Sequence, residues 1–189
     1  MKILALAAAF AMATSASFAA DKYTLDASHS QIVFSYQHLG FSTTYGMFSG
    51  FEGDISYDAE HPEKSSVTVS MPVTSIFTGW EKRDGHFLSP DLMNGAAGGA
   101  ITFTSTGIEV TGDTTAKITG DLAVNDISKP VVLDAVLNKS DKHPQSGKDW
   151  VGFSATASLL RSDYGLGLAA PYVSDEVQVM ISIEAEKVE

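Results

Sequence analysis

Strict alternation of apolar and polar side chains limits this chain more than any other feature. Successive residues of a β-strand point to opposite faces, so a strand with one face in an interior reads apolar, polar, apolar. Val177, Val179, Ile181, Ile183 and Ala185 share one parity, and Gln178, Met180, Ser182, Glu184 and Glu186 take the other. Ile32, Phe34 and Tyr36 alternate with Val33, Ser35 and Gln37 in the same way, and comparable faces recur over residues 67–74, 116–125, 131–137 and 151–161. Residues 45–57 read as one strand in which Gly46, Gly50 and Gly53 mark bulges or bends. Residues 101–105 and 107–111 read as two short strands, and residues 58–64, 126–129 and 140–147 as turns or loops. The count is about eight strands, with no helix long enough for parallel crossovers, so the fold class is all-β. Closing eight strands into a barrel removes exposed edges and leaves room for side chains or one small ligand. No linker or repeat divides residues 21–189, which read as a single domain.

One stretch, residues 78–94, breaks the pattern. Thr78 followed by Glu81 is a capping-box signature, and Ser89-Pro90 with Asp91 repeats the start signal, which predicts a short helical segment near 79–94. Trp80, Phe87, Leu88, Leu92 and Met93 supply apolar surface there, whereas Glu81, Lys82, Arg83, Asp84 and His86 are ionisable. A plug with both characters suits the mouth of a barrel. Lys82-Arg83 is the one adjacent basic pair in residues 21–189, a natural seat for an anionic or strongly polar head group. The competing reading is an intrahelical ion-pair cluster with Glu81 and Asp84, worth little. Residues 95–100 (GAAGGA) read as flexible by composition.

Residues 1–20 read as a secretory leader. Lys2 supplies the positive start, residues 3–12 the apolar run, and Ser17-Phe18-Ala19 the small residues before a cut after Ala19 or Ala20. The run is too short for a retained membrane span and no later segment approaches one, so a soluble periplasmic domain is expected. Without cysteine there is no disulfide or thiolate chemistry. The formal charge of −11 becomes one unit more negative when Lys2 leaves with the leader. That balance weighs against nucleic acid and anionic membrane surfaces, both of which select basic faces. A homodimer remains open.

Enzyme signatures are sparse. The chain has no G-x-S-x-G elbow, no phosphate-binding glycine loop and no H-E-x-x-H. His86 with Asp84 and Ser89 is the one grouping from which a hydrolase could be built, given the right geometry. His29, His38 and His86 share no short ligand spacing, and across an extended strand His29 and His38 would stand roughly 25 Å apart, so no metal site is assigned. Phe34, Tyr36, Phe48, Phe51, Phe103 and Phe153 could each fill a dry core.

Several short stretches occur along the chain in a set order: Asp26-Ala27-Ser28-His29-Ser30, residues 32–40 (IVFSYQHLG), Gly46-Met47-Phe48, residues 81–86 (EKRDGH), Ser89-Pro90-Asp91-Leu92, Ile101-Thr102-Phe103, Gly120-Asp121-Leu122, Lys129-Pro130-Val131, residues 161–165 (RSDYG) and Asp175-Glu176-Val177. In order and spacing they resemble the YceI-like family of periplasmic polyisoprenoid-binding proteins, lipocalin-like in shape. The resemblance implies an extended eight-stranded antiparallel lipocalin-like β-barrel. Such a barrel holds a polyisoprenoid lipid, an isoprenoid quinone or a similar amphiphile in an apolar channel, with no cofactor and no catalysis. By position, Phe34, Tyr36, Phe48 and Phe103 would form channel wall and the charged helix would border the mouth. The remaining ligand-binding candidates are Trp80, Lys82, Arg83, His86 and Phe87 in that segment, together with His38, Phe153 and Tyr164. Residues 95–100 depart from the family, which usually carries an aromatic-rich Lys-Tyr-Pro segment there. Two other functions fit the same residues: a structural or interaction barrel packed shut, and a hydrolase centred on His86.

Overall fold

Ten antiparallel strands fill eight positions in one closed wall. The structure is a computed structural model that describes residues 20–188; apart from Ala20, the leader assigned to residues 1–20 lies outside the described residues. The strands are β1 (Asp21–Leu25), β2 (Gln31–His38), β3 (Ser42–Phe48), β4 (Glu52–Tyr57), β5 (Ser66–Pro72), β6 (Ala100–Val110), β7 (Thr115–Val124), β8 (Ile127–Lys142), β9 (Asp149–Leu160) and β10 (Glu176–Lys187). From β4 to β10 each strand pairs with the next in sequence. One edge of β10 carries β2 along residues 178–182 and β1 along residues 185–187, while β1 also pairs with β4 and β2 with β3. Thus β1 and β2 are two halves of one wall position, β3 and β4 of another, and the circle closes through β1 and β10.

Several boundaries differ from those predicted. The strand expected over 45–57 is broken at residues 49–51, and β1, which sequence pattern did not single out, starts the wall at Asp21. Gly53 fits a close approach: a Cβ there would lie 2.1 Å from the Thr68 carbonyl oxygen on β5. The two strands expected over 101–111 are one, β6, with a bulge between Ser105 and Gly107. The turn before β8 is Asn125-Asp126, not 126–129. Both residues take positive φ (52° and 61°) between the paired Val124 and Ile127, the geometry of a tight two-residue hairpin. At its other end β8 continues to Lys142, into the expected loop.

The helical interruption lies where it was predicted. Helix α1 spans Glu81–Phe87, and residues 90–93 form turns behind the second start signal at Ser89-Pro90. The capping box does not form, because Trp80 occupies the cap position and Gly79, at φ 76°, turns Thr78 away from it. Thr78 instead donates to Asp84 through its backbone N–H (2.8 Å) and hydroxyl (2.6 Å). The glycine-alanine stretch is tied down: Gly95 N–H donates to the Leu88 carbonyl (2.9 Å) and Val73 N–H to that of Gly99 (3.1 Å). Two anchors stretch the whole segment across one end of the barrel. Met47 and Phe77 exchange backbone hydrogen bonds at 2.9 Å, and Asn125 Nδ2 donates to the Leu92 carbonyl at 2.7 Å.

Two glycines decide where inward aromatic rings lie. A Cβ on Gly46 would sit 2.3 Å from Cζ of Phe34, and one on Gly120 would sit 2.3 Å from Cζ of Phe103. Each ring therefore lies flat over a glycine of the neighbouring strand, within the thickness of the wall. Conventional close packing is found at the corner where β1, β4, β9 and β10 meet, around Tyr23, Leu25, Ile55, Val151 and Ala185. Gly46→Ala is expected to push Phe34 off the wall and cost about 1–3 kcal/mol in urea denaturation. Gly85→Ala, inside α1 with open space beyond it, is expected to stabilise by up to about 1 kcal/mol through helix propensity alone.

Candidate ligand-binding channel

Inward side chains of the barrel do not meet in the middle. The lumen is an open cavity of about 800 Å³ that reaches from residues 62–66 and 112–115 at one end to α1 at the other. Its wall is almost wholly apolar, because one parity of every long strand faces it: Val67, Val69 and Met71 from β5, for example, and Val179, Ile181 and Ile183 from β10. Met71 is buried, but the other five are only partly buried, as expected of side chains facing a void rather than a packed core. Leu133 on β8 and Ile118 on β7 behave alike.

All twelve residues singled out from the sequence border this one cavity. Phe34, Phe48 and Tyr164 are buried, and Tyr36, Phe87, Phe103 and Phe153 half-buried. Trp80, Lys82, His38 and His86 are exposed at the α1 end, with Arg83 half-buried among them. Phe34 packs on Phe48 (ring centroids 5.4 Å) and on Phe87 (5.9 Å), and Phe87 also meets Tyr36 (6.2 Å). This aromatic cluster seats the inner face of α1. Toward the opposite end a second cluster joins Tyr57 to Phe153 (5.7 Å) and to Tyr23 (6.3 Å).

Helix α1 turns one chemical face inward. Lys82, Arg83, His86 and Phe87 border the lumen, whereas Glu81 and Asp84 do not. Residues four apart share a helical face, so Lys82 stands with His86 and Arg83 with Phe87. Neither Lys82 nor Arg83 enters an ion pair among the described residues, which sets aside the intrahelical cluster with Glu81 and Asp84. Arg83 is nevertheless held. Its Nε donates to Thr78 Oγ1 (3.0 Å), an Nη to the Thr78 carbonyl (3.1 Å), and its guanidinium carbon lies 5.7 Å from the centre of the Trp80 ring. The channel mouth is thus basic on its α1 side, with Lys82 the unrestrained cation.

Arg161 was not singled out, yet it shapes the rim beside that mouth. Its guanidinium donates to four carbonyls of the β9–β10 loop: Ser174 (2.8 Å), Leu166, Leu168 (2.8 Å) and Val173 (2.8 Å). Ser162 donates to both oxygens of Asp175 at the loop's far end (2.9 and 2.6 Å), and these bonds hold the Asp175 carboxyl below its usual range. Burial pushes the neighbouring Tyr164 hydroxyl upward. The sequence signal was a lone arginine opening a fifteen-residue interval between two strands, legible only once those carbonyls are seen to converge.

The hydrolase grouping does not assemble. Asp84 is committed to Thr78, and the buried Ser89 hydroxyl has no hydrogen-bond partner, so neither is joined to His86. Outside the channel, Asp26, His29 and Glu184 bring ligand-type atoms within 4.8 Å of one another, a spacing able to hold a metal ion. Ser28 and Asp26 both meet the same ring nitrogen of His29, Nδ1 (3.0 and 2.6 Å), which is not the arrangement of a catalytic relay. Hydrogen bonds from Ser28 and then His29 lower the Asp26 pKa, and the Asp26 hydrogen bond raises that of His29.

A family model described as the YceI-like domain matches residues 23–185. The protein YceI of Shigella sonnei is 36% identical over 184 residues, covering 96% of this chain and 95% of that one. Among solved structures, the YceI protein of Campylobacter jejuni superposes with a TM-score of 0.73 at 28% identity, over 81% of this chain and 90% of that one. A polyisoprenoid binding domain from Saccharophagus degradans, implicated in plant cell wall breakdown, gives 0.66 at 17% identity, over 88% and 98%, a likeness of fold.

Two measurements check this account of the rim and the outer cluster. Arg161→Lys, which replaces a planar fork by a point donor, is expected to lose about 3 kcal/mol in urea denaturation and to admit protease cleavage within residues 166–174. For the Asp26–His29 pair the signs differ. The Asp26 share of stability is present above that residue's ordinary 3.8 and is lost as pH falls. The His29 share is present below 6.5 and is lost as pH rises. His29→Gln should therefore lower the melting temperature more at pH 5 than at pH 9.

Proposed function

The chain belongs to the YceI-like family, and we propose that it is a non-catalytic carrier which holds a polyisoprenoid-type lipid, such as an isoprenoid quinone, along its lumen with the head group against Lys82, Arg83 and His86. The observation that carries this reading is the combination of an apolar cavity of about 800 Å³ running through the barrel with a basic face at one end. Each buried CH₂ contributes about 0.8 kcal/mol, so a few isoprene units supply ample driving force and the mouth is free to select the head group. The polyisoprenoid-binding domain of Saccharophagus degradans, which has the same fold, supports this ligand class. The leader read in residues 1–20 supports a periplasmic location for the carrier, and among the described residues no helix is long and apolar enough to cross a membrane.

A barrel packed shut for a structural role is the competing reading, and the partly exposed inward rows weigh against it. The two readings differ in a substitution. Ala157, half-buried on β9, faces the lumen. In an open channel Ala157→Phe should leave the melting temperature within a few degrees of the parent and abolish lipid retention. In a packed interior the added ring would cost about 1–3 kcal/mol. Native mass spectrometry of protein purified from cells, followed by lipid extraction, is expected to show an isoprenoid adduct absent from Ala157→Phe. Protein that emerges empty and also refuses added isoprenoid quinone would overturn the proposal.

A further inference from the structure

Among the described residues, the exposed large aromatic side chains are confined to one end of the barrel. They are Phe41 and Tyr45 on the β2–β3 hairpin, Phe77 and Trp80 before α1, and Tyr172 in the β9–β10 loop. Phe41 is 90% exposed and Tyr172 74%. Leu39 and Leu168, both about half exposed, extend the same surface. Water-facing aromatics at such levels are costly unless something covers them part of the time.

The three segments that carry these side chains are stitched together. Leu39 N–H donates to the Tyr172 carbonyl (2.8 Å), Ser174 N–H to that of Gln37 (2.9 Å), and Met47 pairs with Phe77. They form one lip at the mouth, joined to the start of α1 through Trp80. Its charge is as uneven as its hydrophobicity. The chain has 23 acidic residues, yet residues 36–45, 73–80 and 166–174 contain no Asp, Glu, Lys or Arg. The overall negative charge, which weighs against an acidic membrane surface, therefore does not apply to this lip.

Resting on the carrier reading above, we propose that the lip is a bilayer-docking surface: it partitions into the interfacial zone of a lipid membrane and places the mouth against it, so that an isoprenoid lipid passes between bilayer and lumen without crossing water. Trp, Tyr and Phe are the side chains that settle at the membrane–water boundary, with apolar bodies in the acyl region and polar tips among head groups. Trp80 belongs to both the lip and the channel mouth, so the docking surface runs directly into the lumen. Because the lip's segments carry no acidic or lysine side chain, and the one guanidinium they wrap, Arg161, is engaged by backbone carbonyls, docking is chiefly hydrophobic and depends little on salt. Peripheral attachment of this kind is shallow and reversible, as a shuttling carrier requires.

The test uses the full protein and zwitterionic vesicles of phosphatidylcholine and phosphatidylethanolamine free of isoprenoid. Co-sedimentation is expected, and it should persist in 1 M salt. In a Trp150→Phe background, which leaves Trp80 as the sole tryptophan, emission should shift to the blue on vesicle addition. Phe41→Ser with Tyr172→Ser should reduce the bound fraction at least tenfold. Neither residue borders the lumen, so uptake of isoprenoid quinone delivered from detergent should be unchanged. Val132→Ser, an exposed apolar position on the outer wall, should leave vesicle binding as it was. Loss of quinone uptake with vesicle binding intact would defeat the carrier reading and leave docking standing. Three outcomes would overturn the docking proposal: no co-sedimentation, binding that survives the double substitution, or burial of Trp80 in a concentration-dependent dimer without vesicles.

Discussion

The open lumen depends on aromatic rings being laid into the wall. Phe34 lies over Gly46 and Phe103 over Gly120, and in each case the ring fills the volume that a Cβ on the neighbouring strand would claim. A ring of this size standing upright in an eight-stranded barrel would reach toward the axis, where a few such rings would close it. Laid flat, it covers backbone and leaves the centre free. The many β-branched and aliphatic residues of β5 to β10 can then project inward without touching their opposite numbers. The burial forgone at the centre is made at the margins, where Val151 and Ala185 of the β1 corner are fully buried and Phe34 and Phe48 are buried beneath α1.

The two ends of the barrel answer different needs. The β1 corner is filled by conventional packing, and a strap crosses part of the opposite, mouth end. That strap runs from the Met47–Phe77 pair through α1 to the Asn125–Leu92 hydrogen bond, so a helix of seven residues is held by its neighbours rather than by its own caps. Its aromatic side rests on Phe34 and Tyr36 while Lys82 and His86 remain beside the opening. Elsewhere on the rim, Arg161 gives four hydrogen bonds to the backbone of one loop. The rim consequently has a basic side built on a helix and an uncharged aromatic side built on stapled loops.

Much of the fold was legible because a half-buried strand leaves a period-two imprint. The faces of β5, β8, β9 and β10 stand in the sequence as they do in the wall, and the twelve residues chosen as channel candidates border one cavity. What escaped was local and three-dimensional. Thr78 and Glu81 spell a capping box, but Gly79 redirects the chain and Thr78 binds Asp84 instead. Asn125 and Asp126 looked like the edge of a longer turn, although their tolerance of positive φ is what permits a two-residue hairpin. Arg161 carries no periodic signal, because its partners are carbonyls, which have no identity in a sequence. The glycine-alanine run reads as loose by composition and is fixed by hydrogen bonds its neighbours supply.

Alternation, the helical interruption and the acid-rich composition were settled by the residues alone, because each depends on short-range order along the chain. Whether the oily parity of eight strands would interlock or stand apart was not, since that turns on the angle of a few rings against glycines some distance away in sequence. The gathering of exposed aromatics and the absence of charge on one lip likewise belong to the tertiary structure. Three segments, the first and last more than a hundred residues apart in sequence, become one surface only when the wall closes and brings their turns to the same end.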